Sequence, residues 1–354
     1  MPGLDEMLTA FDFEPIFRAN VTRVVYDTTA HGAGTEFTMR RNREAFEWVD
    51  VVPRAGADVN SISTATDILG MKMDVPIFVA PSSGQGALHP DGESAMHVGA
   101  TAANTTMIVA SGSSVPLEKI AAAADRPLWY QHYPVAEMGA RRLVLEKAQG
   151  LGCRAVVVTV DGRSVVFERD QHDRHLGGNT RQGARRAPAA VTNPYRVTDL
   201  YAGTWIGWNY LDEIRPFIKV PMVIKGIISP EDAVLAVEHG ADGIVVSNHG
   251  GRILDYDPAT LEVLPEIIDA VGGRIPVLID SGFRRGSDVF KALALGARGV
   301  LLGRAARWGL GAFGPAGVQR LLEIVQSELV ATMKSAGRLT VSSIDRSAVR
   351  TRFT

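Results

Sequence analysis

The sequence predicts an α/β protein of the (β/α)8 barrel class, with an N-terminal helical extension and a long loop after the fourth strand. Three observations predict it. Eight short apolar runs recur along the chain, helical patterns fill the intervals, and nearly every run ends in a polar or glycine-containing group. Eight strands alternating with helices favour a barrel over an open sheet, and barrel enzymes assemble their sites at the C-terminal ends of the strands.

The runs, in order, are PIFVAP (76–81), TMIVAS (106–111), PLWYQHY (127–133), AVVVTVD (155–161), PMVIKG (221–226), GIVVSNHG (243–250), PVLIDSG (276–282) and GVLLGR (299–304). Each is continuous rather than alternating, as in strands covered on both faces. EKIAAAAD (118–125), RRLVLEKAQGLG (141–152), EDAVLAVEHG (231–240) and SDVFKALALG (287–296) read as helices. The last two end in glycine, a helix-stop signal. Residues 1–75 read as a helical segment plus cap, so that 1–354 forms one domain. Residues 171–203 read as an active-site loop, either a mobile lid or a solvated excursion. Between Arg174 and Thr198 this loop holds five arginines and no acid.

Composition narrows the function. The chain has 354 residues, 46% hydrophobic and 21% charged, with a net charge of −2. That balance fits an ordinary globular domain and offers no global basic field for nucleic acid or an anionic membrane. The N-terminal stretch MPGLDEMLTAFDFEP lacks the apolar core of a signal peptide, and no apolar run reaches about 18 residues. A cytoplasmic location and a small-molecule substrate are therefore expected, with no nucleic-acid or membrane partner and no metal. The single cysteine, Cys153, excludes an intrachain disulfide framework and reads as a buried thiol at a strand start.

Three constellations carry chemistry. Arg284 follows the seventh run in DSGFRRG, and Gly303-Arg304 follows the eighth. Loops after these strands commonly hold phosphate: glycine allows close backbone approach, and arginine adds bidentate charge. The alternative is a surface arginine at a helix start. Lys225 ends the fifth run, where a buried cation needs an anionic partner. It could form a Schiff base, pair with a carboxylate or face an electron-rich ring. His249 suits a base if a carboxylate holds its other ring nitrogen. Asp161 ends the fourth run and is the candidate partner, although an aspartate at a strand end also serves as a helix cap.

The blocks KG (225–226), SNHGGR (247–252), LDYDPAT (254–260), DSGFRRGSDVFKALALGA (280–297) and GR (303–304) resemble the FMN-dependent 2-hydroxy-acid oxidase/dehydrogenase family. VYDTTAHGAGTEFTMRRNREAF (25–46), HPDGE (89–93), QHY (131–133) and TVD (159–161) extend the resemblance over nearly the whole chain. The resemblance implies a barrel with FMN at its mouth and oxidation of a 2-hydroxy acid to a 2-oxo acid. It implies phosphate contacts from Asp280, Ser281, Gly282, Arg284, Gly303 and Arg304, and flavin contacts from Pro81, Ser82, Ser83, Ser111, Gln131, Thr159 and Ser247. By the same resemblance Lys225 stabilises the reduced flavin and His249 is the base, oriented by Asp161. Tyr133 then bonds the reacting oxygen, and Arg252 clamps the substrate carboxylate. A homotetramer is expected on the same ground.

The departures are as informative. Where the family carries a tyrosine that helps bind the carboxylate, this chain has Thr28. The family's second arginine after TVD aligns with Glu168, and Arg169 is one step off register. Ser83 replaces a small apolar residue beside the flavin, and Ser281 replaces a glycine. His31 and His132 read as exposed or core residues. These changes leave two alternatives open: the same chemistry on a bulkier or non-standard substrate, such as an aromatic hydroxy acid or amino analogue, or flavin binding without turnover.

Overall fold

A computed structural model describes residues 2–135, 137–161 and 207–353. Glu168, Arg169 and the loop expected at 171–203 lie outside the described residues.

Each predicted run supplies one strand: β1 (Ile77–Val79), β2 (Thr106–Ala110), β3 (Trp129–His132), β4 (Val156–Thr159), β5 (Met222–Ile227), β6 (Gly243–Val246), β7 (Val277–Ile279) and β8 (Gly299–Leu302). All pair in parallel in chain order, and β8 returns to β1 to close the barrel. The runs are continuous because both faces are buried. Outward residues such as Val79, Met107, Val156, Ile224 and Ile279 belong to the core beneath the helices. Inward residues Phe78, Ile108, Trp129, Val157, Val223, Val245, Leu278 and Leu301 form a second apolar core inside the barrel. Side chains alternate with a period of two. Two residues beyond that inner core, six of the eight inward positions become Gln131, Thr159, Lys225, Ser247, Asp280 and Gly303, while β1 and β2 supply Ala80 and Ala110. The barrel changes from apolar to polar within one strand repeat, and that change sets the floor of the site.

The predicted helices form between the strands. Pro230–Glu238 is capped by Ser229, whose Oγ accepts from Asp232 N at 3.2 Å. Gly286–Ala294 starts with Asp288 accepting from the backbone N–H groups of Arg284 and Arg285. Cys153 is buried as expected, and burial pushes its thiol up to about 12.

The first 75 residues are richer than a helical cap. Helices Phe13–Asn20, Arg23–Ala30 and Phe37–Glu44 are present, but so are short strands. Val49–Val51 pairs antiparallel with Val349–Thr351, tying the two ends of the described chain together. Thr66–Ile68 and Met71–Met73 form a hairpin whose Ile68, Met71 and Met73 pack onto the inner barrel core. Fully burying such a side chain is worth about 1.5–3 kcal/mol, so the hairpin acts as an apolar plug at the N-terminal end of the barrel. Among the described residues, no helix is long and apolar enough to cross a membrane.

Candidate active site

A cavity of about 330 Å³ opens at the C-terminal end of the strands, within the range of ~300–1,000 Å³ common for small-ligand sites. Its floor is the polar layer just described. Gln131 Nε2 donates to Thr159 Oγ1 at 2.9 Å, and its Oε1 accepts from Ser111 N at 3.2 Å. Lys225 Nζ donates to Ser247 Oγ at 2.9 Å and lies 3.4 Å from Asp280 Oδ2. Burial opposes the charge of Lys225, but Asp280, Asp161 and Tyr133 outweigh it and raise its pKa above the ordinary lysine value. The lysine is therefore a permanently charged ammonium beside a carboxylate, one of the partners its position demands.

On the wall, His249 Nδ1 contacts Asp161 Oδ1 at 3.0 Å and Oδ2 at 3.1 Å. Burial disfavours the charge on Asp161, but His249 and Lys225 overcome it and hold the carboxyl below its ordinary range. An ionised carboxylate can only accept, so Nδ1 carries a proton, and in the neutral imidazole Nε2 is then the acceptor. That nitrogen lies 3.4 Å from the Tyr133 hydroxyl, on the cavity side. Burial raises the Tyr133 phenol above its usual value, so the hydroxyl keeps its proton.

The local backbone explains the motifs. His249 adopts φ +58°, a left-handed conformation uncommon for a residue with a side chain, and its N–H donates to Ser247 Oγ at 3.1 Å. The corner is held from outside by Asn42, 206 residues away in sequence, which exchanges two 2.9 Å bonds with Asn248. Gly226 has φ +109°, and a Cβ there would lie 2.7 Å from Asp161 Cβ. The KG motif thus leaves room for the carboxylate that holds the histidine.

The upper wall is cationic. Arg284, Arg304 and Arg307 line the cavity with Arg252, and among the described residues none of the first three forms an ion pair. Burial and then Arg43 push Arg284 down to about 10; burial and then Arg252 do the same to Arg307. Arg304 falls well below its ordinary value through burial, Arg252 and Arg284. Clustered guanidiniums without an ion-pair carboxylate among the described residues favour an anionic ligand. The hydrogen bonds divide their tasks. Arg304 spends Nε, Nη1 and Nη2 on the carbonyls of Thr29, Gly250 and His31. Arg252 Nη1 donates to the carbonyls of Thr28 and His31. Arg284 stacks 4.4 Å over Trp308 and donates Nη1 to Phe283 O.

Of the residues singled out from the sequence, Pro81, Ser82, Ser83, Gln131, Tyr133, Thr159, Lys225, His249, Arg252, Asp280, Ser281, Gly282, Arg284, Gly303, Arg304 and Thr28 surround one cavity. Asp161 and Ser247 stand behind it, supporting His249 and Lys225. Ser111 is not among the lining residues and contributes its N–H to Gln131. Thr28 turns its hydroxyl to Val24 O at 2.8 Å, so it offers the cavity space rather than a donor. His132 is a core residue: its Nε2 meets Tyr210 Oη at 2.6 Å, and burial with Arg141 nearby lowers its pKa to about 4. His31 is buried and serves through its carbonyl. Arg307 and Thr29 were missed. The available signal was GRAAR: once a helix starts at Arg304, a residue three positions on shares its face.

Comparison with known proteins gives the family. The family model described as FMN-dependent dehydrogenase matches residues 17–351. Peroxisomal (S)-2-hydroxyacid oxidase GLO3 of Arabidopsis thaliana is 36% identical over 354 residues, covering 98% of each chain. An L-lactate oxidase of Nostoc sp. is 35% identical over 362 residues, covering 98% of this chain and 99% of its own. A crystal structure of mandelate oxidase superposes with a TM-score of 0.87 at 36% identity, covering 98% of this chain and 99% of that one. The cationic wall, the uncharged Gln131–Thr159 pair and the buried Lys225 fit a phosphate-bearing flavin, and the chain belongs to the FMN-dependent dehydrogenases, oxidoreductases that act on CH–OH groups with FMN as cofactor.

Proposed function

We propose that the protein oxidises a 2-hydroxy acid to the corresponding 2-oxo acid, with His249 as the base. The observation that carries this reading is the Asp161–His249–Tyr133 line, in which the carboxylate holds Nδ1 and leaves Nε2 beside a phenolic hydroxyl at the cavity. Arg284, Ser281, Gly282 and Gly303 would hold the FMN phosphate, Gln131 and Thr159 the polar flavin edge, and Lys225 its electron-rich end. When bound, FMN accepts the two electrons that the substrate loses.

The remaining work falls to the chain itself. Arg252 binds the substrate carboxylate and orients C2 toward His249. Nε2 takes one proton, from C2 or from the hydroxyl, the second hydrogen passes to the reduced cofactor or to solvent, and Asp161 stabilises the resulting imidazolium. Tyr133 donates to the reacting oxygen. Lys225 supplies a fixed positive charge where negative charge accumulates, without reorganisation at the moment of reaction.

Thr28 supports a substrate with a bulky side chain, because it lines the cavity with a short side chain whose hydroxyl is already bonded to its own helix. A homotetramer and a cytoplasmic location complete the reading; sedimentation and cell fractionation test them. The function is tested by anaerobic mixing of the FMN-loaded protein with lactate, mandelate and glycolate. Flavin bleaching is expected, fastest with mandelate. Retained FMN that none of a broad panel of 2-hydroxy acids bleaches would reject the reading.

A further inference from the structure

We propose that Arg307 is a second substrate-binding residue, which presents its guanidinium to the carboxylate of the 2-hydroxy acid alongside Arg252. The inference rests on the function proposed above.

Arg307 lies three residues beyond Arg304 on the helix Arg304–Ala336, so both point to the same side. Its Nε donates to Thr29 Oγ1 at 3.2 Å and its Nη1 to Ser83 O at 2.8 Å. Among the described residues, Nη2 has no protein acceptor. Two neutral contacts therefore aim the group, and neither neutralises it. Arg252 is anchored on the carbonyl of Thr28, the adjacent residue. The two guanidiniums thus attach to consecutive positions of one helix end, at the cavity rim, and Arg252 adds to burial in lowering the readiness of Arg307 to hold its charge. A carboxylate between them would relieve that repulsion and accept from both. Thr28 cannot compete, because its hydroxyl is spent on Val24 O. Arg304 is the more committed of the two, with three of its five N–H donors on backbone carbonyls against two bonds made by Arg307. Among the described residues, Arg307 is thus a lining cation beside Arg252 that keeps a donor nitrogen without a protein acceptor.

The alternative is a purely structural clamp between the β1 loop and the N-terminal helices. The experiment separates the two. FMN-loaded wild type, Arg307→Met and Arg307→Lys are titrated with oxalate, read by flavin absorbance, and assayed with the fastest-bleaching 2-hydroxy acid and with its methyl ester. The expected result is an oxalate Kd raised about 10-fold or more in Arg307→Met, partial recovery in Arg307→Lys, and unchanged FMN content. The kcat/KM for the free acid falls by a similar factor, while that for the uncharged ester changes little. Equal losses for acid and ester, or an oxalate Kd within about twofold of wild type, would overturn the proposal in favour of the clamp. Loss of FMN from Arg307→Met would also overturn it, by assigning the arginine to the cofactor. Failure of the functional reading looks different: no hydroxy acid would bleach the wild type.

Discussion

Asp161→Asn isolates the charge behind the proposed base. The side chains are isosteric, so the contact with Gly226 persists. The carboxylate lies 3.0 Å from His249 Nδ1 with its side chain 11% exposed, and this fixes the dielectric regime. Two unit charges with centres about 4 Å apart attract by ~4 kcal/mol at an effective dielectric of ~20. Asparagine can still accept through its amide oxygen, and a neutral hydrogen bond retains about 1 kcal/mol. The net loss of imidazolium stabilisation is about 2–3 kcal/mol, or about 30- to 150-fold in the rate of flavin bleaching. Stopped-flow absorbance under anaerobic conditions measures that rate directly, with FMN content as the control for folding. The lowered pKa of Asp161 adds a pH condition. The group stays ionised through the neutral and mildly acidic range, so the charge that the substitution removes is present throughout it. A bleaching rate within about threefold of wild type would refute the argument that Asp161 acts through the charge it places on His249.

Other perturbations have equally definite outcomes. Lys225→Met strands Asp280 in a site where both side chains are nearly inaccessible; unfolding in urea should show a loss of about 3–5 kcal/mol, most of it recovered by adding Asp280→Leu. Gly226→Ala forces a Cβ to within 2.7 Å of Asp161 at φ +109°; bleaching should slow at least as much as in Asp161→Asn while the fold persists by circular dichroism. Burial, Asp161 and Asp255 raise the Asp257 carboxyl to about 6. Its ionisation therefore costs stability as pH rises from about 4 through 6, so Asp257→Asn should raise Tm at about pH 7.5 and lose that advantage near pH 4.

Much of this architecture was legible in the chain because barrel strands are buried on both faces. PIFVAP or AVVVTVD can satisfy that environment only as a continuous apolar run, and the change to Gln131, Thr159, Lys225 or Asp280 marks where the barrel opens. SNHGGR was legible for the same reason: it follows a buried strand directly. What stayed hidden depended on contacts between distant segments. The Asn42–Asn248 pair joins residues 206 positions apart, and no local pattern announces it. The plug hairpin has three-residue strands, too short to express a period. Thr28 was legible as a short residue in place of a tyrosine, but the direction of its hydroxyl was not: a helix over Arg23–Ala30 offers it the carbonyl of Val24. Arg307 was hidden because its face is defined only when the helix start at Arg304 is known.

The central claim is that His249 Nε2 takes the substrate proton while FMN takes the electrons. Anaerobic bleaching by a 2-hydroxy acid, compared between FMN-loaded wild type and His249→Gln, tests it most directly. The account predicts equal FMN content and flavin spectra before mixing, rapid bleaching of the wild type, and bleaching slowed by about 100-fold or more in His249→Gln. Equal bleaching rates in the two proteins would contradict it.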